Sequence, residues 1–298
     1  MKKIFIIGIT GYIGGTIALK LKEKGYEVLG LARKDADINS LNTLGFNIVK
    51  GSLQNVEVLR KAIVESDAVI NTADSDDYLV VEDFLSLLRG TGKTFIYTSG
   101  SNIIANWTQP ETADFVFTED FPLETISPAP NRLIINDYVL RSAIDGVRNI
   151  VIVPSMVYGE GLLLNKESKQ IPLLIKTAKD KNVGVYVGSG SQSWSNVHVE
   201  DLADLYIAAL ERAKPGSIFF AENGIASFKE IAEVIHHKLS LHGTPVSLSQ
   251  SEAVSLWGDM MATMALGSDC RLNADKARLF LDWNPRYDSV LTYLQDTL

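Results

Sequence analysis

Ile4-Phe5-Ile6-Ile7-Gly8-Ile9-Thr10-Gly11-Tyr12-Ile13-Gly14-Gly15-Thr16-Ile17-Ala18-Leu19-Lys20-Leu21-Lys22-Glu23-Lys24-Gly25 is the stretch that decides the fold. Its first four residues are a continuous β-branched and aromatic run, the composition of a strand covered on both faces. From Tyr12 the period changes. Ile13, Ile17 and Leu21 recur at helical spacing, with Lys20, Lys22 and Lys24 expected to face water and Gly25 to act as a left-handed C-cap. Glycines at 8, 11 and 14 stand between strand and helix. The first allows a tight turn, the second lets backbone approach a pyrophosphate, and the third lets helix and strand pack closely, with the helix N-terminus facing the anion. A strand directly before the loop and a helix directly after it give the glycine pattern its meaning.

Outward from this unit, residues 28–32, 47–49, 68–71, 94–98 and 149–153 read as five further strands with helical patterns between them. The expected fold is α/β: a doubly wound parallel sheet with a smaller C-terminal substrate-binding cap. Helices are expected over 169–181, 199–213 and 228–239, the last opened by Ser227 with Glu230 at capping-box spacing. The expected division is interleaved. Residues 1–155 form the dinucleotide-binding unit, a segment near 190–213 returns to it, and 156–189 with 214–298 form the cap.

The 298-residue chain is long enough to bury a large core. Its 28 Lys/Arg against 36 Asp/Glu give a net charge of −8, which argues against a broad nucleic-acid or acidic-membrane surface. Residues 1–34 differ, with seven basic against two acidic side chains, so one phosphate-rich ligand can be held there. The lone Cys270 can form neither an internal disulfide nor a cysteine zinc site, which points to a reducing compartment. The uncharged run 4–19 imitates a signal peptide, but glycines interrupt it and no small-x-small cleavage site follows. The expectation is a soluble cytoplasmic protein, monomer or homodimer, with a small-molecule substrate and neither nucleic-acid nor membrane partner. No metal is expected: His236 and His237 are adjacent on one helix and point differently, and no cluster has ligand spacing.

After the second strand comes Leu31-Ala32-Arg33-Lys34. An acidic residue there would accept the ribose 2′-hydroxyl of NAD, whereas an arginine offers a planar fork to the 2′-phosphate of NADP, with Lys34 adding charge beside it. A solvated surface pair is the plainer reading of the same residues. Position favours NADP(H), with NAD(H) possible. Arg33 also speaks against an S-adenosylmethionine methyltransferase, which would want an acid at this point.

The loop resembles the T-G-x-x-G-x-x-G loop of the short-chain dehydrogenase/reductase superfamily, in its extended and atypical branches. Further segments follow in chain order. Gly51-Ser52-Leu53 falls where the superfamily usually has Gly-Asp-Leu, whose aspartate meets adenine. Asn71-Thr72-Ala73 ends the fourth strand where the family's backbone passes the nicotinamide ribose, and Tyr97-Thr98-Ser99-Gly100-Ser101 falls at its catalytic serine or threonine. Pro154-Ser155-Met156-Val157-Tyr158-Gly159 resembles the R-P-x-x-V-Y-G segment that holds the nicotinamide carboxamide. Residues 194–203 resemble V-H-V-x-D-x-A, and 273–285 the closing signature of extended members. The whole is similar to the NAD-dependent epimerase/dehydratase-like subgroup, with a Rossmann sheet. The resemblance implies cofactor contacts from Gly8, Thr10, Gly11, Tyr12, Ile13, Gly14, Arg33, Lys34, Ser52, Leu53, Asn71, Thr72, Ala73, Thr98, Pro154, Ser155, Met156 and Val157.

Active members of the superfamily usually carry Tyr-x-x-x-Lys, whose tyrosine moves a proton at the substrate oxygen. Here the helix reads Ser127-Pro128-Ala129-Pro130-Asn131-Arg132, which puts Pro128 at the tyrosine and Arg132 at the lysine. The usual acid/base is absent. Arg132 can bind ribose hydroxyls or a substrate anion but cannot act as a base; equally, it reads as a surface arginine at a helix start. Ser99 and Ser101 are the remaining hydroxyls near the expected nicotinamide, although Ser99 serves as well as a strand-end hydrogen bonder. Ser99, Ser101 and Arg132 are therefore the catalytic candidates. Tyr158 and Trp194 are candidate walls of the substrate cleft, with core packing as common a fate for each, and Tyr138 faces elsewhere. His198 reads as a structural histidine, and Gly188-Ser189-Gly190-Ser191 as a loop facing the cleft. The implied function is an NADP(H)-dependent oxidoreductase or epimerase-like enzyme acting on a small carbonyl or hydroxyl substrate. The alternative is a non-catalytic NADP(H)-binding sensor.

Overall fold

The computed structural model describes residues 2–74, 76–105, 115–122 and 127–298. Strands β1 (Lys3–Ile7), β2 (Glu27–Ala32), β3 (Asn47–Lys50), β4 (Ala68–Asn71), β5 (Thr94–Thr98) and β6 (Arg148–Pro154) form where the apolar runs predicted them. The chain then makes β7 (Met156–Tyr158), β8 (Val185–Val187) and β9 (Ser193–His198) before β10 (Ser217–Ala221). The large sheet has seven strands in the order β3-β2-β1-β4-β5-β6-β10, all parallel. Its edge strand, Ser217–Ala221, lies within the stretch 214–298 that the sequence assigns to the cap.

Helices α1 (Tyr12–Glu23), α2 (Asp35–Thr43), α3 (Val56–Val64), α4 (Tyr78–Leu88), α5 (Pro130–Arg141), α6 (Gln170–Lys181) and α7 (Val199–Arg212) connect and flank these strands. Alternation along β1 explains why the run is apolar throughout. Phe5 and Ile7 enter the core shared with α3 and α4, while Ile4 and Ile6 enter the opposite core shared with α1 and α7. Because β1 pairs with β2 on one side and β4 on the other, the winding reverses between them and leaves a crevice at the strands' C-terminal ends. Two smaller sheets lie outside the large one. One contains β7, β9 and β11 (Ile225–Ser227), the other β8 and β12 (Val246–Leu248). Helices α8 (Phe228–Lys238), α9 (Gln250–Trp257), α10 (Asp275–Leu281) and α11 (Val290–Thr297) complete the chain.

Lys20 departs from its expected place in water. Because α1 lies against α7, its ammonium pairs with Asp204 at 2.7 Å and donates to the Glu200 carbonyl at 3.2 Å. Gly25 takes the left-handed φ of +84° that a helix end needs, and Ser227 and Glu230 form the reciprocal capping box. Among the described residues no helix is long and apolar enough to cross a membrane.

Candidate functional site

Gly8 leaves β1 with φ +93°, a conformation that L side chains rarely adopt. A Cβ there would sit 2.5 Å from Thr72 Oγ1, and one on Gly14 would sit 2.3 Å from the Gly8 carbonyl oxygen. Thr72 cannot withdraw, because its hydroxyl donates to the Ile7 carbonyl at 2.9 Å. Gly11 is the N-cap of α1 and offers no side-chain acceptor, so the first N–H groups of the helix remain for an anion.

Two cavities open beside this loop and meet at Thr10 and Arg33. The first, of about 370 Å³, has apolar walls from Leu31, Ala32, Leu53 and Ala73 and includes Ser52. Ser52 is engaged in the turn before α3, its N–H and hydroxyl both donating to Asn55 Oδ1 at 2.8 and 3.0 Å. The second, also about 370 Å³, is lined by Thr10, Arg33, Lys34, Asp37, Leu164 and Asn165. Every other arginine among the described residues is held by a carboxylate, hydroxyl or carbonyl partner. Arg33 is held by none. Among the described residues Lys34 likewise has no partner, and the neighbouring Asp35 is taken by Lys50 at 2.6 Å; Arg33 and Lys34 are both exposed, as the plainer reading of a solvated pair also expects.

At the ends of β4 and β5 and just past β6, three buried polar atoms have no hydrogen-bond partner: Asn71 Nδ2, Ser99 Oγ and Ser155 Oγ. Each such atom costs about 1–3 kcal/mol unless a ligand or water satisfies it, so this end of the sheet is a candidate place for polar groups of a bound molecule. Asn71 is oriented by the Ala73 N–H on its Oδ1 at 3.1 Å, and the Ser155 N–H donates to Ala221 at 3.0 Å. Pro154 ends β6, while Met156 is buried and Val157 half-buried in β7. Thr98 is occupied, donating to the Asn71 carbonyl at 2.7 Å with the Tyr206 hydroxyl also 2.7 Å away.

Arg132 lies across this end of the sheet. Its Nε and Nη2 grip the Asp76 carboxylate at 2.8 and 2.5 Å, and Nη1 donates to Asn102 Oδ1. Only 12% of its side chain is exposed, so it is not a surface arginine. A Cβ on Gly100 would lie 2.7 Å from Nη1, which brings the guanidinium against the turn bearing Ser99 and Ser101. Neither Asp76 nor Asn102 stood out in the sequence, because neither is near Arg132 along the chain. Ser101 is buried, and its carbonyl accepts the Cys270 thiol at 3.4 Å. Burial pushes that thiol up to about 12, which leaves it inert.

The other candidates lie deeper. Trp194 is 5% exposed, with its indole N–H donating to the Ser268 carbonyl at 2.9 Å. Tyr158 is fully buried against His198 and Tyr293. Burial raises the phenols of Tyr12, Tyr97 and Tyr158, so none of them is poised to replace the absent tyrosine near neutral pH. Burial pulls His198 down to about 4; its Nδ1 accepts from the Glu200 N–H at 3.2 Å and its ring stacks on Tyr287. Tyr138 packs against Tyr78 with the rings tilted by 33°, and residues 188–191 make the turn between β8 and β9.

These features fit a dinucleotide: a cradle that any Cβ would fill, uncapped helix N–H groups, cations without internal partners, and unpaired polar atoms at the far end. The sequence model of the NAD dependent epimerase/dehydratase family matches residues 4–220. The chain belongs to this family. It is 30% identical to an uncharacterized protein of Schizosaccharomyces pombe, C2A9.02, over 98% of both chains. It is 21% identical to the 4-hydroxy-2-methyl-3-oxo-4-farnesyl-3,4-dihydroquinoline-1-oxide ketoreductase of Stigmatella aurantiaca, over 95% of this chain and 92% of that one. The UDP-glucuronic acid 4-epimerase of Bacillus cereus, solved with UDP-glucuronic acid and NAD, shares the fold with a TM-score of 0.78 at 18% identity, over 98% and 96% of the two chains. The stretch matched to the epimerase/dehydratase family contains the glycine loop, both cavities and Arg132.

Proposed function

We propose that the protein is an NADP(H)-dependent oxidoreductase, or an epimerase-like enzyme using transient hydride transfer, that acts on a small carbonyl or hydroxyl substrate. One observation carries the cofactor preference. Arg33, the arginine without an internal partner, lines both of the cavities that meet beside the glycine loop. Gly8, Gly11 and Gly14 with the start of α1 hold the pyrophosphate, and Leu31 and Leu53 flank the adenine. Thr10, Tyr12 and Ile13 belong to the same loop. Asn71, Thr72, Ala73 and the segment 154–157 receive the ribose and carboxamide, where Asn71 Nδ2 and Ser155 Oγ lack partners.

When bound, the cofactor supplies or accepts a hydride. Ser99 Oγ–H, with no internal acceptor, and the Ser101 hydroxyl donate hydrogen bonds to the substrate oxygen, while the Arg132 guanidinium, paired with Asp76, positions the turn that bears them. Pro128 stands where the usual tyrosine would be and burial raises the Tyr97 and Tyr158 phenols, so in this reading water supplies the proton at that oxygen. Tyr158 and Trp194 support the cleft from within the core. The ketoreductase relative supports the carbonyl reading.

The replacement of the usual tyrosine and lysine by Pro128 and Arg132 favours a second reading, a sensor that binds NADP(H) without turning it over. Purified protein mixed with NADPH and a panel of aldehydes, quinones and keto compounds separates the two. Oxidation of NADPH by at least one of them is the expected result; tight NADPH binding with no oxidation by any would establish the sensor.

A further inference from the structure

The cavity beside Arg33 is closed by a part of the chain far from it in sequence. Thr10, Arg33 and Lys34 come from the first two strand-to-helix turns and Asp37 from the first turn of α2, whereas Leu164 and Asn165 come from the segment after β7. That segment is fastened onto the glycine loop. The Tyr12 hydroxyl donates to the Gly159 carbonyl at 2.8 Å, and the Leu162 N–H donates to Thr16 Oγ1 at 3.2 Å. Within it, the Gly161 N–H donates to the Lys166 carbonyl at 2.8 Å. A Cβ on Gly161 would lie 2.3 Å from the Asn165 carbonyl oxygen and 2.8 Å from the Tyr12 ring, so the approach is close enough to require glycine.

Asn165 is held in turn. Its Oδ1 accepts the Glu167 N–H at 3.3 Å, which fixes the amide and leaves Nδ2 as a donor with no internal acceptor. The open cavity therefore gathers four donors without a protein acceptor, the half-buried Thr10 hydroxyl and the exposed Arg33, Lys34 and Asn165 Nδ2. Its one carboxylate, Asp37, opposes two cations, so the balance suits a multiply charged anion.

We infer that Asn165 is a specificity-determining residue for the cofactor, donating from Nδ2 to the 2′-phosphate of the adenosine while Arg33 and Lys34 bind the same group. The inference rests on the NADP(H) reading and adds to it a residue outside the turn after β2. Asn165 supplies a donor without further charge. Asp37 limits the affinity, because its carboxylate faces the same anion.

Calorimetry with adenosine 2′,5′-bisphosphate and adenosine 5′-monophosphate tests this, since the two probes differ only in the 2′-phosphate and require no turnover. Wild-type protein binds the bisphosphate more tightly. Asn165→Asp, which replaces a donor by an anion of the same shape, weakens the bisphosphate about tenfold or more and changes the monophosphate less than about twofold. Asn165→Ala weakens the bisphosphate by a smaller factor, and Asp37→Asn tightens it. If both Asn165 variants bind the bisphosphate like wild type while Arg33→Ser loses it, the inference is overturned and the NADP(H) reading stands. Parallel losses for both probes would also overturn it, because Asn165 would then only shape the cavity. Equal affinity of the wild type for the two probes would overturn the NADP(H) reading itself.

Discussion

Gly14 shows how a single absent methyl group makes the site. A side chain there would press on the Gly8 carbonyl and on Thr72 Oγ1 together, and both are fixed by β1 and its neighbour β4. Gly14→Ala is expected to destabilise the fold by about 1–3 kcal/mol in urea titrations, the usual range for forced overpacking. It should also weaken dinucleotide binding, because relief of the contact moves the loop. Arg33 makes the opposite kind of contribution, a charge without a partner. Arg33→Asp should weaken NADPH binding far more than NADH binding; equal losses for the two would count against a 2′-phosphate contact. Both residues were legible in the sequence because each sits between a strand and the body of the helix that follows it, Gly14 in the first turn of α1 and Arg33 just past β2, where the local chain dictates the conformation. Asp76, Asn102 and Asn165 were not. Their relation to Arg132 or Arg33 exists only after distant segments fold together, and short polar residues in loops carry no periodic signal.

Elements were legible wherever their cause is local. The strands β1, β4, β5 and β6 were read from continuous apolar runs, and α8 from Ser227 and Glu230 three residues apart. Ser227→Ala should cost about 1 kcal/mol in a denaturation curve, the typical loss of an N-cap. The feature that ends α7 was not legible. Arg148 at the start of β6 donates to the carbonyls of Ala209, Leu210 and Ala213 at 3.1, 2.9 and 2.6 Å and to Thr94 Oγ1 at 2.7 Å. A cation thus satisfies the last carbonyls of a helix and complements its dipole. Arg148→Met leaves these carbonyls without the donor and should lower stability by about 3 kcal/mol. A loss under about 1 kcal/mol would mean that the α7 terminus is satisfied without it.

At the scale of the whole molecule, acid stability has an identifiable contributor. Burial holds His198 down to about 4, with Glu200 opposing that shift and Lys20 and Arg286 adding to it. Unfolded histidine takes its proton near pH 6.5. Between about pH 6.5 and 4 the unfolded chain therefore binds a proton that the folded chain does not, and stability falls as pH falls through that window, by up to about 3 kcal/mol. Asp201 and Glu119 act in the reverse sense. Burial raises both carboxyls, so the folded chain keeps protons that the unfolded chain releases, which offsets part of the loss. Guanidinium denaturation at pH 7 and pH 4.5 should show a smaller stability difference for His198→Gln than for wild type; identical differences would remove His198 as a contributor.

The overall charge of −8 conceals the basic N-terminal segment on which the functional reading rests. The glycine loop, the two adjoining cavities and the unpaired Arg33 are the basis of one proposal, that this chain binds a dinucleotide and reads its 2′-phosphate. Titration of the purified protein with NADPH and with NADH, followed by calorimetry under one buffer and salt, tests this directly. The expected result is NADPH binding at least about tenfold tighter, the equivalent of a charge-assisted contact of about 1.4 kcal/mol. Equal affinity for the two, or tighter binding of NADH, would contradict it.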